Sequence, residues 1–199
     1  MDWNLQMKKM LAVGCSFMNR RGPIIPQCEI VADNLNYKLY NKSISGNGND
    51  HILYNTIDSI SLEKYDLVLI GWSSPIRWDY VTAPNKWFSY KMYEVIDKIK
   101  KPINIELTLF RQWSSKAILL ANFLDSRNIK YVMWNSLHCW HPGNSTAHQQ
   151  LRNIDNFIDI ETCHLEDLRN KKLWISETDH HPNQVSQQEW AEKILEKIK

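Results

Sequence analysis

The chain has 199 residues, a formal net charge of +2, and 43% apolar against 23% charged residues. That length suits one domain, residues 1–199, with a sizeable core, and the composition excludes a disordered or fibrous chain. Lys and Arg are scattered in pairs such as Lys8-Lys9, Arg20-Arg21 and Lys171-Lys172. This argues against nucleic acid as the main partner, because phosphate binding concentrates cations on one face.

In chain order, residues 10–15 (MLAVGC) form the first nearly continuous apolar run, followed directly by Ser16. A weaker strand is expected over residues 37–44, leading into Ser45-Gly46-Asn47-Gly48-Asn49. Residues 66–72 (DLVLIGW) and 130–136 (KYVMWNS) repeat the first pattern. Apolar runs without polar alternation predict strands buried on both faces, as in a parallel sheet covered by helices.

Between the strands, two apolar stripes at helical spacing predict helices, one through Phe88, Met92, Val95, Ile96 and Ile99, the other through Ala117, Leu120, Ala121 and Leu124. Residues 73–87 and 137–150 read as long loops following strands, and residues 172–176 as a candidate fifth strand. The last helix carries Trp190, Ala191, Ile194, Leu195 and Ile198 on one stripe, with Pro182 expected in its first turn. Strands alternating with helices imply a three-layer α/β/α sandwich around a parallel sheet.

No run reaches the length of a membrane span. The stretch LAVGC after Lys8-Lys9 is too short for a signal-peptide core, so a cytoplasmic protein with no membrane partner is expected. The four cysteines, Cys15, Cys28, Cys139 and Cys163, show no CxxC spacing and read as free thiols. His138, Cys139 and His141, even with Cys163 and His164, match no common zinc spacing, so no metal is expected. Nine tryptophans imply a large aromatic core or an aromatic-lined cleft.

In an open α/β sheet the ligand crevice lies at the carboxyl ends of the strands. Ser16, Gly46-Asn47, Gly71-Trp72-Ser73-Ser74 and Asp179-His180-His181-Pro182 would gather there. A serine hydroxyl becomes a nucleophile when an imidazole takes its proton and a carboxylate orients that imidazole. His181 and Asp179 can supply both, with His180 as the alternative base, while the backbone N–H groups of Ser16 and Gly46 suit a developing oxyanion. Arg77 is either half of a surface ion pair with Asp79 or an anchor for an anionic substrate group. Ser16 also fits a plain helix cap, and Gly46 and Gly48 fit turns.

The blocks GCSF, NKSISGNGND, LVLIGWSS and DHHPNQVSQQEWAEKI resemble, in order and over nearly the whole chain, the four conserved blocks of the SGNH (GDSL-type) hydrolases, in particular SGNH-like proteins encoded in bacteriophage genomes. The resemblance implies a flavodoxin-like sheet, no cofactor, and hydrolysis of an acyl or acetyl ester on a small-molecule or glycan substrate. It makes Ser16 the nucleophile, His181 the base, Asp179 its orienting acid and Gly46 an oxyanion donor. Three positions depart from the pattern: Cys15 stands where the family has an acid, Ser73 where it has an asparagine, and Thr178 where its acid often lies. The missing oxyanion contact would then fall to Ser73, Asn47, Asn49 or Arg77. The same residues serve acyl transfer to another acceptor, and the departures also suit a catalytically silent binding module.

Overall fold

The computed structural model describes residues 7–82, 86–91, 105–138 and 146–199. Four parallel strands form the central sheet in the order β2-β1-β3-β6: β1 (Lys9–Gly14), β2 (Lys38–Asn41), β3 (Leu67–Trp72) and β6 (Lys130–Asn135). The helices are α1 (Gln27–Leu35), α2 (Asn49–Leu62), α3 (Ile105–Ser126), α4 (Thr146–Arg152), α5 (His164–Lys171) and α6 (Gln184–Ile198).

The period of two along each strand divides the core in two. Leu11, Val13, Val68, Ile70 and Met133 face one side and pack with Ile52 of α2 and with Phe110, Ala117, Leu120 and Leu124 of α3. Met10, Ala12, Leu67, Leu69, Val132 and Trp134 face the other and pack with Val31 and Ala32 of α1 and with Trp190, Ala191 and Ile194 of α6. Both faces are covered, which is why these runs carry no polar alternation, and the architecture is the three-layer α/β/α sandwich. Each fully buried large side chain, such as Trp190 or Ile194, contributes about 2 kcal/mol through lost apolar surface.

Two glycines close the sheet's carboxyl edge. Gly14 and Gly71 are register partners, and a Cβ on either would meet the Met18 sulfur, at 2.3 and 2.7 Å. Space, rather than backbone freedom, requires glycine here. Met18 fills that space and folds the 3-10 turn Ser16–Met18 over the ends of β1 and β3.

Residues 73–87 are not one long loop. Residues 77–82 (β4) and 86–91 (β5) form an antiparallel ribbon with Trp78 opposite Tyr90 and Tyr80 opposite Phe88. Phe88 therefore belongs to a strand and not to the expected helix, whose remaining residues Met92, Val95, Ile96 and Ile99 lie outside the described residues. The β-branched and aromatic content of 77–91 decides for the ribbon, because such side chains pack well across paired strands. The loop expected over 137–150 holds α4 at its end, and residues 139–145 lie outside the described residues. Residues 172–176 form no strand, only a bridge between Trp174 and Pro182. Pro182 precedes α6 rather than opening it: Asn183 is the cap, and its side-chain oxygen accepts the Ser186 N–H.

Asp79 fastens the ribbon to the sandwich. Its carboxylate is buried and accepts the N–H groups of Gly48, at 3.0 Å, and His51, at 2.9 Å, at the start of α2, together with the Ser89 hydroxyl. The ion pair with Arg77 is thereby excluded as its role, since helix amides outcompete a solvated partner for a buried carboxylate. Asp79→Ala leaves the His51 N–H without an acceptor and the Gly48 N–H with the Ser89 hydroxyl alone, and we expect it to lower unfolding stability by about 2 kcal/mol in denaturant titrations. An unchanged midpoint would contradict the cap.

Candidate active site

The parallel pairing of β1 and β2 runs on past β2: the Lys42 N–H donates to Ala12 O at 2.8 Å and the Ile44 N–H to Gly14 O at 3.1 Å. This brings Ser45-Gly46-Asn47 level with Cys15-Ser16, and the Asn19 side chain donates to the Ser45 hydroxyl at 3.3 Å across the two loops. Gly46 adopts a positive φ of 87°, which suits glycine in this turn.

The C-terminal segment reaches Ser16 from the other side. Gln187 on α6 donates to Phe17 O at 3.0 Å and accepts the Gln27 N–H at 2.9 Å. Ahead of α6, the Ile175 N–H donates to His181 O and the Asn183 N–H to Leu173 O, each at 2.9 Å, which fixes the loop bearing His181.

These constraints bring Ser16, His181 and Asp179 together. His181 Nε2 lies 2.9 Å from Ser16 Oγ, and His181 Nδ1 lies 2.5 Å from Asp179 Oδ1, which also accepts the His181 backbone N–H. The chain Ser–His–Asp is continuous, so the Nδ1–H donates to the carboxylate and Nε2 is left to accept the serine proton. Asp179 is held below the usual carboxylate range, first by the hydrogen bond from His181, with Arg21 at 3.8 Å adding to it. His180 turns away: its Nε2 meets Glu177 O at 3.0 Å and its ring leans on Trp174.

The packing behind the imidazole has no signature in the sequence. Phe17 sets its ring edge against both His181 and His164. His164 is fully buried, stacks on Trp190 and meets the Ser186 hydroxyl at 2.9 Å. Burial pushes its pKa well below the ordinary histidine value, so a neutral ring backs the site. The sequence assigns Phe17 and Gln187 no role, and it offers His164 only as a metal-ligand candidate and Arg21 only as one of the scattered basic pairs. The one signal available was that Phe17 closes the GCSF block and Arg21 follows it four residues later.

The expected oxyanion donors fall in different places. The backbone N–H groups of Ser16 and Gly46 donate to no acceptor among the described residues. Asn47 is buried and its Nδ2 has no partner among the described residues. Asn49 is spent inside the loop, exchanging hydrogen bonds with the Ser73 backbone at 2.8 and 3.2 Å. Ser73 is 1% exposed, with its hydroxyl unpartnered. Arg77 donates to Asn47 O at 3.0 Å and lines a cleft of about 300 Å³ over the ends of β3 and β6, with Ser74, Lys91, His138 and Arg169 around it. Larger hollows of about 480 and 600 Å³ contain none of these residues.

Of the tryptophans, Trp72, Trp113, Trp134 and Trp190 are core, Trp87 stacks on His51, and Trp78 is exposed on the ribbon. None of them lines the cleft. Among the described residues no group of three or more His, Cys, Asp or Glu is placed to hold a metal, and Cys139 and His141 lie outside them. No helix among them is long and apolar enough to cross a membrane.

No protein-family model matches the chain, and no curated protein matches it in sequence. Solved structures do match the fold. TesA superposes with a TM-score of 0.58 at 14% identity, covering 96% of this chain and 98% of its own. Axe2, an acetylxylan esterase from Geobacillus stearothermophilus, gives 0.54 at 16% identity over 96% and 94%. EstA, a psychrotrophic esterase from Pseudoalteromonas sp., gives 0.56 at 12% identity over 96% and 97%. The chain has the fold of these proteins, two of them esterases by description, and it is the one that the SGNH resemblance implies.

Cys15 and Cys28 are fully buried. Burial raises both thiols, Cys28 to about 12, while the Arg77 charge partly offsets the rise at Cys15. Thiolate is the reactive form, so we expect alkylating reagents at about pH 8 to spare both in the folded protein and to modify both in denaturant, as read by peptide mapping. Labelling of Cys28 in the native state would contradict its burial.

Proposed function

We propose that the protein is a serine ester hydrolase working through a covalent acyl-enzyme. The single observation that carries this reading is the continuous Ser16–His181–Asp179 hydrogen-bond chain, built from residues 165 positions apart in sequence. The shared fold with solved esterases, two of them acetylxylan esterases by description, supports it.

Ser16 Oγ attacks the ester carbonyl carbon as its proton passes to His181 Nε2, and the carbonyl π pair moves onto oxygen. The Ser16 and Gly46 amides, with Asn47 Nδ2 as third donor in place of the family asparagine, receive that charge. Collapse breaks the bond to the alcohol oxygen, which leaves with the proton from His181. Water then repeats the sequence on the acyl-serine, releases the acid and restores Ser16. Asp179 holds the imidazole tautomer and balances its charge while it carries the proton.

Short-chain nitrophenyl and naphthyl esters provide the test. We expect Ser16→Ala to lower kcat/KM by about a thousandfold or more with the fold intact, and Asp179→Asn by about a hundredfold or more, chiefly in kcat. Equal rates for Ser16→Ala and wild type would refute the reading.

The pH dependence follows from the depressed Asp179. As pH falls from neutrality Asp179 remains ionised past the point where an ordinary carboxylate would protonate. The acid limb of the pH–rate profile is therefore not set by Asp179. Removing Arg21, the smallest of the causes that depress Asp179, should leave that limb in place; a limb that moves with Arg21→Ala would contradict this.

A further inference from the structure

The cleft beside the Ser16 loop has a charge pattern that hydrolysis of a neutral ester does not need. Arg77 stands on one wall and Arg169, near the end of α5, on another, with Lys91 and His138 also at the lining. No Asp or Glu lines it among the described residues. Neither Arg77 nor Arg169 has a carboxylate partner among those residues, although seven other basic side chains pair with carboxylates elsewhere: Lys9, Arg20, Arg21, Lys116, Arg152, Lys171 and Lys193. The Arg77 and Arg169 charges, without a carboxylate partner among the described residues, repel one another across the hollow, and an arriving anion relieves that repulsion.

Position connects the cleft to the reaction. Its floor lies over the ends of β3 and β6, through Ser74 and Leu137, and β3 is the direct neighbour of β1, which ends just before Ser16. Adjacent strands are spaced by about 5 Å, so the cleft and the serine share the carboxyl edge of one sheet on neighbouring strands. Arg77 is also held in place: one guanidinium nitrogen is bound to Asn47 O in the loop carrying Gly46, which leaves the rest of its planar fork for a second partner. Ile76, Leu137 and Leu165 supply apolar walls, against which a guanidinium–carboxylate or guanidinium–phosphate contact is less screened than in open solvent.

We infer that this cleft is a specificity subsite for an anionic group on the substrate, a carboxylate or phosphate borne a few bonds from the scissile ester, with Arg77 and Arg169 as its two binding residues. The inference rests on the esterase reading for its place in the reaction, but binding of the anion does not. Two matched ester pairs test it and separate the sources of charge. Nitrophenyl valerate against nitrophenyl hemiglutarate places the charge in the acyl half. Glycerol monoacetate against the acetate ester of glycerol phosphate places it in the alcohol half.

We expect wild-type protein to favour the charged member of one pair by about tenfold or more in kcat/KM, through KM, with the preference shrinking as salt is added. Arg169→Gln, at an exposed position, should bring that ratio towards one, and Arg77→Gln with Arg169→Gln should abolish it. Turnover of neutral and charged esters at equal kcat/KM, or a preference that survives the double variant, would overturn the subsite while leaving the esterase standing. If folded protein turns over none of the four, the esterase reading fails and inorganic phosphate and glutarate decide the subsite alone. A thermal shift in wild type that is lost in the double variant supports it, and no shift in wild type overturns it.

Discussion

The docking of α6 against the sheet is the constraint on which the site depends. Ser16 and His181 are separated by almost the whole chain, and their contact requires the segment after β1 and the segment before α6 to occupy one edge of one layer. Trp190, Ala191 and Ile194 set the helix against Met10, Ala12 and Trp134, which fixes its distance from the sheet. Apolar contact alone leaves the helix free to slide, and the two-sided hydrogen bonding of Gln187 to Phe17 and Gln27 fixes its register. Gln184 repeats the device at Ile25, where it accepts the N–H and donates to the carbonyl. Polar bonds of this kind, buried at Gln187 and exposed at Gln184, contribute little net stability and much specificity.

From that docking the rest of the edge follows. The glycine pair at the ends of β1 and β3 lets Met18 sink between the strands, so the turn bearing Ser16 lies flat against the sheet. Phe17 then points back into the α6 side, where His164 and Trp190 receive it and where it presses on the His181 ring. An imidazole held by packing on one side and by Asp179 on the other has little rotamer freedom left to lose, which is the preorganisation that proton transfer requires. On the far side Asp79 ties the β4–β5 ribbon to the start of α2, and through the foot of that ribbon positions Arg77 beside Asn47.

What the sequence made legible was whatever has a side-chain pattern of its own. Strands buried on both faces announce themselves as continuous apolar runs, and residues 10–15, 66–72 and 130–136 all fall on strands of the central sheet within a residue or two. The ribbon is hidden in the sequence because Phe88 begins a spacing of three and four that continues through Met92, Val95, Ile96 and Ile99, a helical period that competes with the aromatic content. The exposed face of the ribbon, with Trp78, Phe88 and Tyr90, gives no polar alternation to correct it. The sequence offers Asp79 only an ion pair with Arg77, because two of its actual partners are backbone amides, which every residue but proline carries and no sequence pattern marks. Gln184 and Gln187 escaped notice for the same reason. Serine, glycine and histidine at strand ends were legible because their chemistry is specific. Whether His180 or His181 faces the serine was not, since the choice depends on a loop bridged to Trp174 and bonded through Leu173 and Ile175.

The central claim is that His181 activates Ser16. It is tested most directly by exposing the folded protein to a fluorophosphonate serine probe, with intact mass and peptide mapping, alongside Ser16→Ala and His181→Ala. The account predicts one adduct, on Ser16, absent from both variants. Wild-type protein that remains unmodified, or an adduct that persists in His181→Ala, would contradict it.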